Sequence, residues 1–394
     1  MTNVYIVDAV RTPVGKAPRG VFKNTLPDDL LVHTLKCLKD RYPQVDMSAL
    51  GDVVVGCAMP EAEQGMNIAR IATLLADLPQ SLPAMTINRF CSSGVQSIAI
   101  AANAISEGEY SLAFAGGVES MSKVPLGGNR YSVNPAIFKN DHIAIAYGMG
   151  ITAEIVAKKW KISREQQDMF AVESHRRALE AQEKGYFDAE ISPFTMMQKY
   201  FDAASLKASC QEKIITEDEG PRKDTSYEAL SKLRPVFSRT GTVTAGNSSQ
   251  TSDGAGMTFL ASEEKVHEYQ LKPLARMRSF AVAGVPPEVM GIGPVHAIPL
   301  ALKKAGLKLE DIDWIELNEA FAAQALAVIQ TLELDPTKVN PLGSAIALGH
   351  PLGATGAIRT ATLLHGLRRI KKRYGMVTMC IGTGMGAAAI FEAL

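Results

Sequence analysis

Positions 376–386 read MVTMCIGTGMG, in which an apolar run leads through Cys380 into a glycine-rich turn. The run is typical of a short buried strand, and the glycines allow the backbone conformations that a sharp turn needs. A thiol at the tip of such a strand suggests chemistry, although a cysteine that merely caps a buried strand is an equally simple interpretation. The rest of the chain has to decide between the two.

The chain repeats this arrangement with a constant offset of roughly 260 residues. Cys91 and His350 each stand on a turn that feeds a long helix, and each helix is followed by a strand that ends in small residues. The matching pairs are Cys91 with His350, 49–56 with 311–318, and 115–117 with 380–382. A constant offset indicates an internal duplication. Two copies that face each other would bring these loop ends to one shared crevice.

Strand-like and helix-like segments alternate in the first and last parts of the chain, which predicts an α/β layer arrangement with a buried sheet. At 394 residues the chain exceeds the usual size of one hydrophobic core. Residues 119–249 hold most of the long polar helices and many loop residues, so we interpret them as a covering domain. The predicted domains are an N-terminal half of 1–118 with 250–270, the covering domain of 119–249, and a C-terminal half of 271–394.

The composition excludes several classes of protein. Apolar residues make up 46% of the chain, and 41 basic residues balance 41 acidic ones, which predicts a globular protein and argues against a nucleic-acid binder. The apolar stretches are too short to cross a bilayer. The first residues resemble neither a secretory signal nor a transit helix, so the expected location is the cytoplasm.

The five cysteines are few, odd in number and widely spaced, which predicts a reducing compartment and no disulfide framework. No pair has CxxC spacing and no histidines stand at i, i+4, so no metal site is expected. Cys37, Cys57 and Cys210 are interpreted as small buried hydrophobes. Cys91 and Cys380 remain as candidates for chemistry.

Cys91 is the candidate nucleophile, because Ser92, Ser93 and Gly94 after it suit a tight turn and a helix start. Backbone N–H groups at a helix N-terminus stabilise a thiolate and can also hold an oxyanion. The alternative is a buried cysteine before an alanine-rich helix. Both interpretations fit the local sequence.

His350 is the candidate base, because the flanking Gly349 and Pro351 impose a specific backbone path and imidazole titrates near neutral pH. One nucleophile needs only one thiol, so Cys380 would be a second proton carrier. Asn318 and Glu319 end a predicted strand, where they either orient water and bind an anion or cap a helix.

These motifs together resemble those of the thiolase family over essentially the whole chain. Each is weak alone, whereas the ordered set is specific: Arg11-Thr12-Pro13, Cys91-Ser92-Ser93-Gly94, Gly116-Gly117-Val118-Glu119-Ser120-Met121, Thr244-Ala245-Gly246-Asn247, Asn318-Glu319-Ala320-Phe321, Gly349-His350-Pro351 and Cys380-Ile381-Gly382. The resemblance implies the thiolase fold, with two duplicated βαβαβαββ-type halves packed as a layered α/β/α/β/α sandwich, plus an inserted loop domain.

The resemblance also implies a role for each candidate. Cys91 would attack the 3-keto carbon of a 3-oxoacyl-CoA after His350 takes its proton. His350 and a water bound to Asn318 would hold the enolate of acetyl-CoA, and Cys380 would protonate that enolate. The backbone N–H groups of Cys91 and Gly382 would form the oxyanion hole for acyl transfer to CoA. CoA is then a substrate, and no permanently bound cofactor is implied.

The resemblance places further residues around CoA. Arg222 and Ser249 match CoA-contacting positions, and Met149, Ala320 and Phe321 match walls of the pocket. The chain reads YGMG at 147–150, whereas acetoacetyl-CoA thiolases typically carry His-Met-Gly near this point. This departure favours a degradative 3-ketoacyl-CoA thiolase, which shortens a 3-oxoacyl-CoA by two carbons in fatty acid β-oxidation.

Two other functions stay open. An acetoacetyl-CoA thiolase that condenses two acetyl-CoA would use the same residues, and a non-catalytic acyl-CoA or lipid carrier on the same fold would belong to another class. The expected partners are acyl-CoA and CoA, a second copy of the chain in a homodimer or dimer of dimers, and a β-oxidation partner subunit. Neither nucleic acid nor a membrane span is expected.

Overall fold

The computed structural model describes residues 3–130, 132–202 and 207–394. Its strands are β1 (Val4–Arg11), β2 (Gly15–Lys16), β3 (Asp52–Gly56), β4 (Ala84–Ile87), β5 (Leu112–Ser120), β6 (Phe194–Asp202), β7 (Lys207–Ile215), β8 (Ser252–Ser262), β9 (Ala275–Gly284), β10 (Trp314–Leu317), β11 (Tyr374–Ile381) and β12 (Met385–Ala393). Its helices are α1 (Pro27–Arg41), α2 (Ile68–Leu75), α3 (Ser93–Glu107), α4 (Met149–Lys159), α5 (Arg164–Glu183), α6 (Tyr227–Leu230), α7 (Glu263–Glu268), α8 (Gly293–Ala305), α9 (Ala322–Leu332), α10 (Ala345–Leu348) and α11 (Leu352–Ile370).

One mixed sheet runs through both halves of the chain. Its order is β4-β3-β5-β8-β1 in the N-terminal half and β10-β11-β12-β9 in the C-terminal half. In each half the last strand, β8 or β12, is antiparallel to its neighbours. A parallel bridge between Ile315 and Val339 stands where the C-terminal half has its counterpart of β4. The same strand order in both halves confirms the duplication, and β1 pairs with β9 to join the two copies.

The helices form layers around this sheet. α3 and α11 pack against each other in the middle and contact strands of both halves. α1 and α2 cover the outer face of the N-terminal half, where they contribute to one apolar core. α8 and α9 contribute to the corresponding core of the C-terminal half. Each half of the sheet forms one β layer, and the result is the expected α/β/α/β/α sandwich.

The two central helices approach each other at glycines. A Cβ on Gly94 would lie 2.8 Å from the carbonyl oxygen of Gly353, and a Cβ on Gly356 would collide with the backbone of Val95. Only residues without a Cβ permit this contact of two backbones. Because the contact lies in the first turns of α3 and α11, it brings the segments that precede both helices together. Those segments carry Cys91 and His350.

The segment between β5 and β8 contains α4, α5, α6 and a two-stranded ribbon of β6 and β7. α5 opens with a capping box in which the side chains of Ser163 and Gln166 each bond to the other's backbone N–H. The chain leaves the sheet after Ser120 and returns at Ser252. The division into three domains stays a prediction. Within the described residues, no helix combines the length and apolar character that a membrane span requires.

The cysteines depart from expectation at one position. Cys57 is buried and Cys37 is half-buried, but Cys210 is exposed on β7. The prediction of a buried Cys210 was wrong because β6 and β7 form a ribbon outside the main sheet, which leaves the side chain of Cys210 in solvent.

Candidate active site

Cys91 lies in a 3-10 turn, Phe90–Ser92, that leads directly into α3. The side chain of Ser93 fixes this turn, because its Oγ accepts the N–H of Arg89 at 2.8 Å and donates to the carbonyl of Phe90 at 2.7 Å. The thiol therefore lies at the N-terminal end of α3. It is 9% exposed and therefore buried.

His350 lies on the turn between α10 and α11, and it is also buried, with 4% exposure. Gly349 adopts φ +94°, and a Cβ there would collide with the side chain of Ser252, so the position requires glycine. The N–H of His350 lies 3.1 Å from both the carbonyl oxygen of Gln250 and the Oγ of Ser252. Hydrogen bonds to the start of β8 and to the residues just before it thus fix the backbone path that the flanking residues predicted.

The hydrogen bonds of the His350 ring select one tautomer. The Nδ1 atom lies 2.6 Å from the Oγ1 of Thr355, and that hydroxyl donates its own proton to the carbonyl of Pro351 at 2.9 Å. Thr355 must therefore accept a proton from Nδ1. This arrangement leaves a lone pair on Nε2, which lies 3.3 Å from the amide nitrogen of Asn318. Nε2 is the atom that a general base would use.

Asn318 and Glu319 follow β10 and have different surroundings. The side chain of Asn318 faces His350, and its backbone N–H donates to the carbonyl of Thr378 on β11 at 2.9 Å. The carboxylate of Glu319 accepts the Ser174 hydroxyl at 2.6 Å and the Asn340 amide at 3.0 Å. Asn318 therefore belongs to the candidate site, whereas Glu319 links the end of β10 to α5 and to the segment around Asn340.

Cys380 lies near the end of β11 and is fully buried. Burial raises the pKa of its thiol, and a negative charge on Cys91 would raise it further, since the turn that carries Cys91 packs against β11. Gly382 comes directly after this strand, and its backbone N–H is directed at the sulfur of Cys91. The turn of Cys91 and the end of β11 thus meet, as the duplication predicted.

The candidate nucleophile, Cys91, and the candidate base, His350, are both neutral in the free site. Burial raises the pKa of Cys91 to about 11, and hydrogen bonds to its sulfur from the backbone of Gly382 and of Cys91 itself oppose that rise. Burial lowers the pKa of His350 to about 3, and the positive charge of Arg359 contributes. Near pH 7 the pair is therefore a thiol and an imidazole rather than a thiolate and an imidazolium.

The predicted pocket walls lie together. Ala320, Phe321 and Cys380 belong to one buried apolar cluster, and the half-buried Met149 packs against it. Ser249 is attached to the same place, because its N–H donates to the carbonyl of Ala320 at 3.0 Å. Apolar side chains beside Cys380 suit the methylene groups of a pantetheine or acyl chain.

Arg222 stands apart from this cluster. Its side chain is 58% exposed and forms an ion pair of 2.9 Å with Asp224. The side-chain amide of Gln250 donates to the carbonyl of Gly220, two residues before Arg222, at 3.1 Å. The same amide donates to the carbonyl of Ile346, just before the His350 turn, at 3.0 Å. Arg222 therefore lies on an exposed segment that is tied to the His350 side of the site.

Two further residues, Thr355 and Glu119, organise the site, although the sequence motifs predicted no role for them. Thr355 has a weak local signal, because a hydroxyl residue one helical turn after a histidine can reach its ring. Glu119 has no local signal: its carboxylate accepts backbone N–H groups of Ala58 and Gly353, both at 2.8 Å, and the side chain of Gln64 at 2.7 Å. Since Gly353 lies in the first turn of α11, Glu119 caps that helix from β5.

The described residues contain no group of three or more His, Cys, Asp or Glu side chains placed to hold a metal ion. The groups that the described site offers for chemistry are two thiols, an imidazole, an amide and backbone N–H groups.

Comparison with known proteins identifies the class. A model of the thiolase N-terminal domain matches residues 4–264, and a model of the thiolase C-terminal domain matches residues 271–393. The chain belongs to the thiolase family, whose members are acyltransferases that use CoA as a substrate.

Individual relatives cover the chain from end to end. It is 51% identical over 398 residues to the 3-ketoacyl-CoA thiolase of Bacillus subtilis (strain 168), with 100% of both chains covered. It is 48% identical over 392 residues to the peroxisomal 3-ketoacyl-CoA thiolase of Homo sapiens, covering 99% of this chain and 91% of the relative. The crystal structure of the Bacillus anthracis acetyl-CoA acetyltransferase matches with a TM-score of 0.89 at 40% identity, covering 100% of this chain and 99% of that one.

Proposed function

We propose that the chain catalyses the CoA-dependent thiolytic cleavage of 3-oxoacyl-CoA to acetyl-CoA and an acyl-CoA shortened by two carbons. The observation that carries the proposal is the convergence of Cys91, His350, Asn318 and Cys380 on one buried site, where the turns before α3 and α11 meet the ends of β10 and β11. The relatives named 3-ketoacyl-CoA thiolase, at 51% and 48% identity, support the degradative direction.

The first half-reaction uses the proton positions described above. The Nε2 atom of His350 takes the proton of the Cys91 thiol as the sulfur forms a bond to the 3-keto carbon. The bond between the α-carbon and the keto carbon then breaks, which leaves an acyl thioester on Cys91 and the enolate of acetyl-CoA. His350, with a water on Asn318, holds the enolate oxygen. Cys380 gives its proton to the enolate carbon, and acetyl-CoA leaves.

The second half-reaction returns the acyl group to CoA. Cys380, now a thiolate, helps to remove the proton of the incoming CoA thiol. The CoA sulfur attacks the thioester, and the N–H groups of Cys91 and Gly382 stabilise the oxyanion. Collapse of this intermediate releases acyl-CoA, and the Cys91 sulfur regains a proton from His350. Met149, Ser249, Ala320, Phe321 and Arg222 are proposed to contact CoA, with 119–249 as its covering domain.

A substrate series tests the function and separates it from the alternatives. We expect thiolysis of 3-oxoacyl-CoA esters longer than four carbons with kcat/KM at least comparable to that for acetoacetyl-CoA. Activity confined to the four-carbon ester would identify an acetoacetyl-CoA thiolase. A Cys91→Ser variant is the control: if it keeps the only measurable activity of the protein, the carrier function would replace the enzymatic one.

The covalent step has its own test. Brief incubation with 3-oxoacyl-CoA in the absence of free CoA should add one acyl mass to the protein, located on Cys91 by peptide mass spectrometry. The Cys91→Ser variant should gain no thioester that neutral hydroxylamine releases. An adduct on another residue of the wild-type protein would contradict the mechanism.

Assembly and location complete the proposal. A homodimer or dimer of dimers is supported by β4, an end strand of the sheet whose Met85 is 39% exposed, since such edges tend to be covered. Light scattering at several protein concentrations tests this assembly, and a monomer at all of them would exclude it.

Five free cysteines fit a reducing cytoplasm. Docking to a β-oxidation partner subunit stays a prediction.

A further inference from the structure

The carboxylate of Glu119, near the end of β5, is fully buried and accepts four N–H groups. Its Oε2 atom accepts the backbone N–H groups of Ala58 and Gly353, both at 2.8 Å. Its Oε1 atom accepts the N–H of Met59 at 3.2 Å and the side-chain amide of Gln64 at 2.7 Å. All four donors are neutral, and a charge buried this deeply is tolerated only where its oxygens are satisfied in this way. The steps proposed above make no use of this charge.

The four converging donors explain why the position carries a glutamate. An ionised carboxylate offers acceptors on both oxygens and no donor, whereas an amide would turn an NH2 group toward two of the N–H groups. Capping α11 alone would need only the bond to Gly353, since Pro351 at the start of that helix supplies no side-chain cap. The other three bonds go to residues 58–64, which follow β3. The role of Glu119 therefore extends beyond a helix cap.

Residues 56–59 lie between the first turns of the two central helices, and we call them the spacer segment. On one side, a Cβ on Gly56 would collide with the backbone of Ser93, where α3 begins. On the other side, a Cβ on Gly353 in the first turn of α11 would lie 2.7 Å from the Cα of Cys57. Only residues without a Cβ permit these contacts, so the spacer segment touches the backbone of both helices.

Hydrogen bonds connect the spacer segment to the nucleophile. The side-chain amide of Asn88 donates to the carbonyl of Ala58 at 3.0 Å, and its oxygen accepts the N–H of Phe90 at 2.7 Å. Phe90 directly precedes Cys91 on the same turn. The carbonyl of Ala58 and the N–H of Met59 belong to one peptide group. That group accepts from Asn88 and donates to the buried carboxylate, and hydrogen bonds in such a chain strengthen one another.

The bond to Gly353 connects the same carboxylate to the base. Gly353 follows His350 by three residues, in the first turn of α11. That turn also contains Pro351, whose carbonyl accepts the hydroxyl of Thr355, the residue that binds Nδ1 of the histidine ring. Glu119 thus fixes the turn from which the ring is oriented.

We propose that Glu119 is a positioning residue of the reaction, whose carboxylate holds the spacer segment between the turns of Cys91 and His350 and so sets the distance between nucleophile and base. Proton transfer requires the two groups to lie within hydrogen-bond reach, and a displacement of about 1 Å can slow a reaction about a hundredfold. This inference rests on the proposed roles of Cys91 and His350.

The kinetics of a Glu119→Gln variant provide the first test. The amide keeps the size of the side chain but places a donor against two N–H groups, so the spacer segment should shift. We expect kcat for thiolysis to fall about 10- to 100-fold. The KM for CoA should stay within about threefold of the wild-type value, because Glu119 is not among the proposed CoA contacts.

Glu190→Gln is the matched control. The carboxylate of Glu190 is 1% exposed and also bonds α11, where its Oε1 accepts the hydroxyl of Thr362 at 2.8 Å, but it reaches neither turn. Its Oε2 has no hydrogen-bond partner among the described residues, so an NH2 group at that place opposes no donor. The kcat of this variant should stay within about threefold of the wild-type value.

Hydrogen exchange followed by mass spectrometry provides a second readout that needs no activity. The amides of residues 90–93, of His350 and of Thr355 make no bond to Glu119, so they report motion that is passed on to the two turns. Glu119→Gln should raise the exchange rates in both turns about tenfold or more. Asn88→Ala breaks only the connection to Cys91 and should raise the rates at residues 90–93 alone. Because Asn88 is exposed, this variant should fold even if Glu119→Gln does not, and its kcat should fall at least about threefold.

The outcomes separate this inference from the proposed function. Unchanged exchange in either turn of folded Glu119→Gln, or unchanged exchange at residues 90–93 in Asn88→Ala, would overturn the role of Glu119. A loss of activity that appears only as a higher KM for CoA would do the same, as would an equal loss of kcat in Glu190→Gln. If the wild-type protein cleaves no 3-oxoacyl-CoA, the proposed function fails, whereas hydrogen exchange still decides whether Glu119 couples the two turns.

Discussion

The bond between Thr355 and His350 leads to a sharp prediction, because it decides which ring nitrogen is free. Thr355→Val replaces the hydroxyl by a methyl group of similar size and removes the acceptor of the Nδ1 proton. The neighbouring carbonyl of Pro351 also loses the hydroxyl bond of 2.9 Å, but the backbone N–H of Thr355 still donates to it at 2.9 Å. The ring is then free to move its proton to Nε2, the atom on which the proposed mechanism depends.

The size of the effect follows from the burial of the ring. Thr355 and His350 are 1% and 4% exposed, so solvent does not replace the lost partner. A buried N–H without a partner costs about 1–3 kcal/mol. In Thr355→Val this cost falls on the tautomer that accepts the Cys91 proton. At 1.36 kcal/mol for each tenfold change in rate, kcat/KM should fall by roughly 5- to 150-fold.

The assay is thiolysis of a 3-oxoacyl-CoA ester, followed by the disappearance of the substrate. Thr355→Ser is the matched control, since it keeps the hydroxyl, and its kcat/KM should stay within about threefold of the wild-type value. Acylation of Cys91, followed by mass spectrometry in a quenched-flow experiment, should slow by the same factor as kcat/KM. The free energy of unfolding, measured in urea, shows whether folding contributes to the loss.

Two results would refute the reasoning. If Thr355→Val and Thr355→Ser are equally active, the hydroxyl does not set the tautomer. If the valine variant loses activity only through a higher KM for CoA, Thr355 acts on substrate binding and not on the base.

Three further predictions follow from the same geometry. Gly382→Ala should keep at least about a third of the wild-type kcat, because its Cβ would meet Met149 at 3.6 Å and Phe90 at 3.8 Å, both ordinary contacts, and the backbone N–H remains. A loss above a hundredfold would contradict a purely backbone role. The rate of alkylation of Cys91 by iodoacetamide should rise about tenfold per pH unit from pH 7 to pH 9, since burial raises the pKa of the thiol to about 11. A constant rate across this range would indicate a preformed ion pair of the Cys91 thiolate and the His350 imidazolium. Gly356→Ala should lower the free energy of unfolding by about 1–3 kcal/mol or more, because its Cβ would meet the backbone of the facing helix. The control Gly148→Ala, with open space around its Cβ, should leave the free energy of unfolding nearly unchanged. Equal stability of the two variants would mean that the helices separate freely.

Local patterns predicted the strands that are bounded by polar turns. The sequence places strands over 52–56 and 314–317, and the structure has Asp52–Gly56 and Trp314–Leu317. It also predicts a strand over 111–115, but β5 continues to Ser120. The glycines at 116 and 117 suggest an end to that strand. In fact a Cβ on Gly116 would collide with Gly256 of β8, and a Cβ on Gly117 would collide with Gly353 of α11, so the pair allows a close approach to both elements.

The candidate site was predictable as far as its residues sit in short motifs. Cys91, His350 and Cys380 each stand on a recognisable turn, and the duplication predicted that the turns meet. The burial of Cys91 and His350 was not predictable, because it depends on the packing of the opposite half and of the covering segment. Contacts across long stretches of sequence stayed hidden for the same reason, as between Glu119 and Gly353, which are 234 residues apart.

The coupling between the two cysteines explains how one buried thiol can serve both halves of the proposed reaction. A negative charge on Cys91 would raise the pKa of Cys380, so the two thiols do not ionise together, and both hold their protons in the resting site. The proposed reaction ionises them in turn. Cys91 gives its proton to His350 and is already a neutral thioester when Cys380 gives its proton to the enolate carbon, so the Cys380 thiolate forms with no negative charge on Cys91. A carboxylic acid of ordinary pKa at the tip of β11 would be ionised before the enolate appears and could not supply that proton.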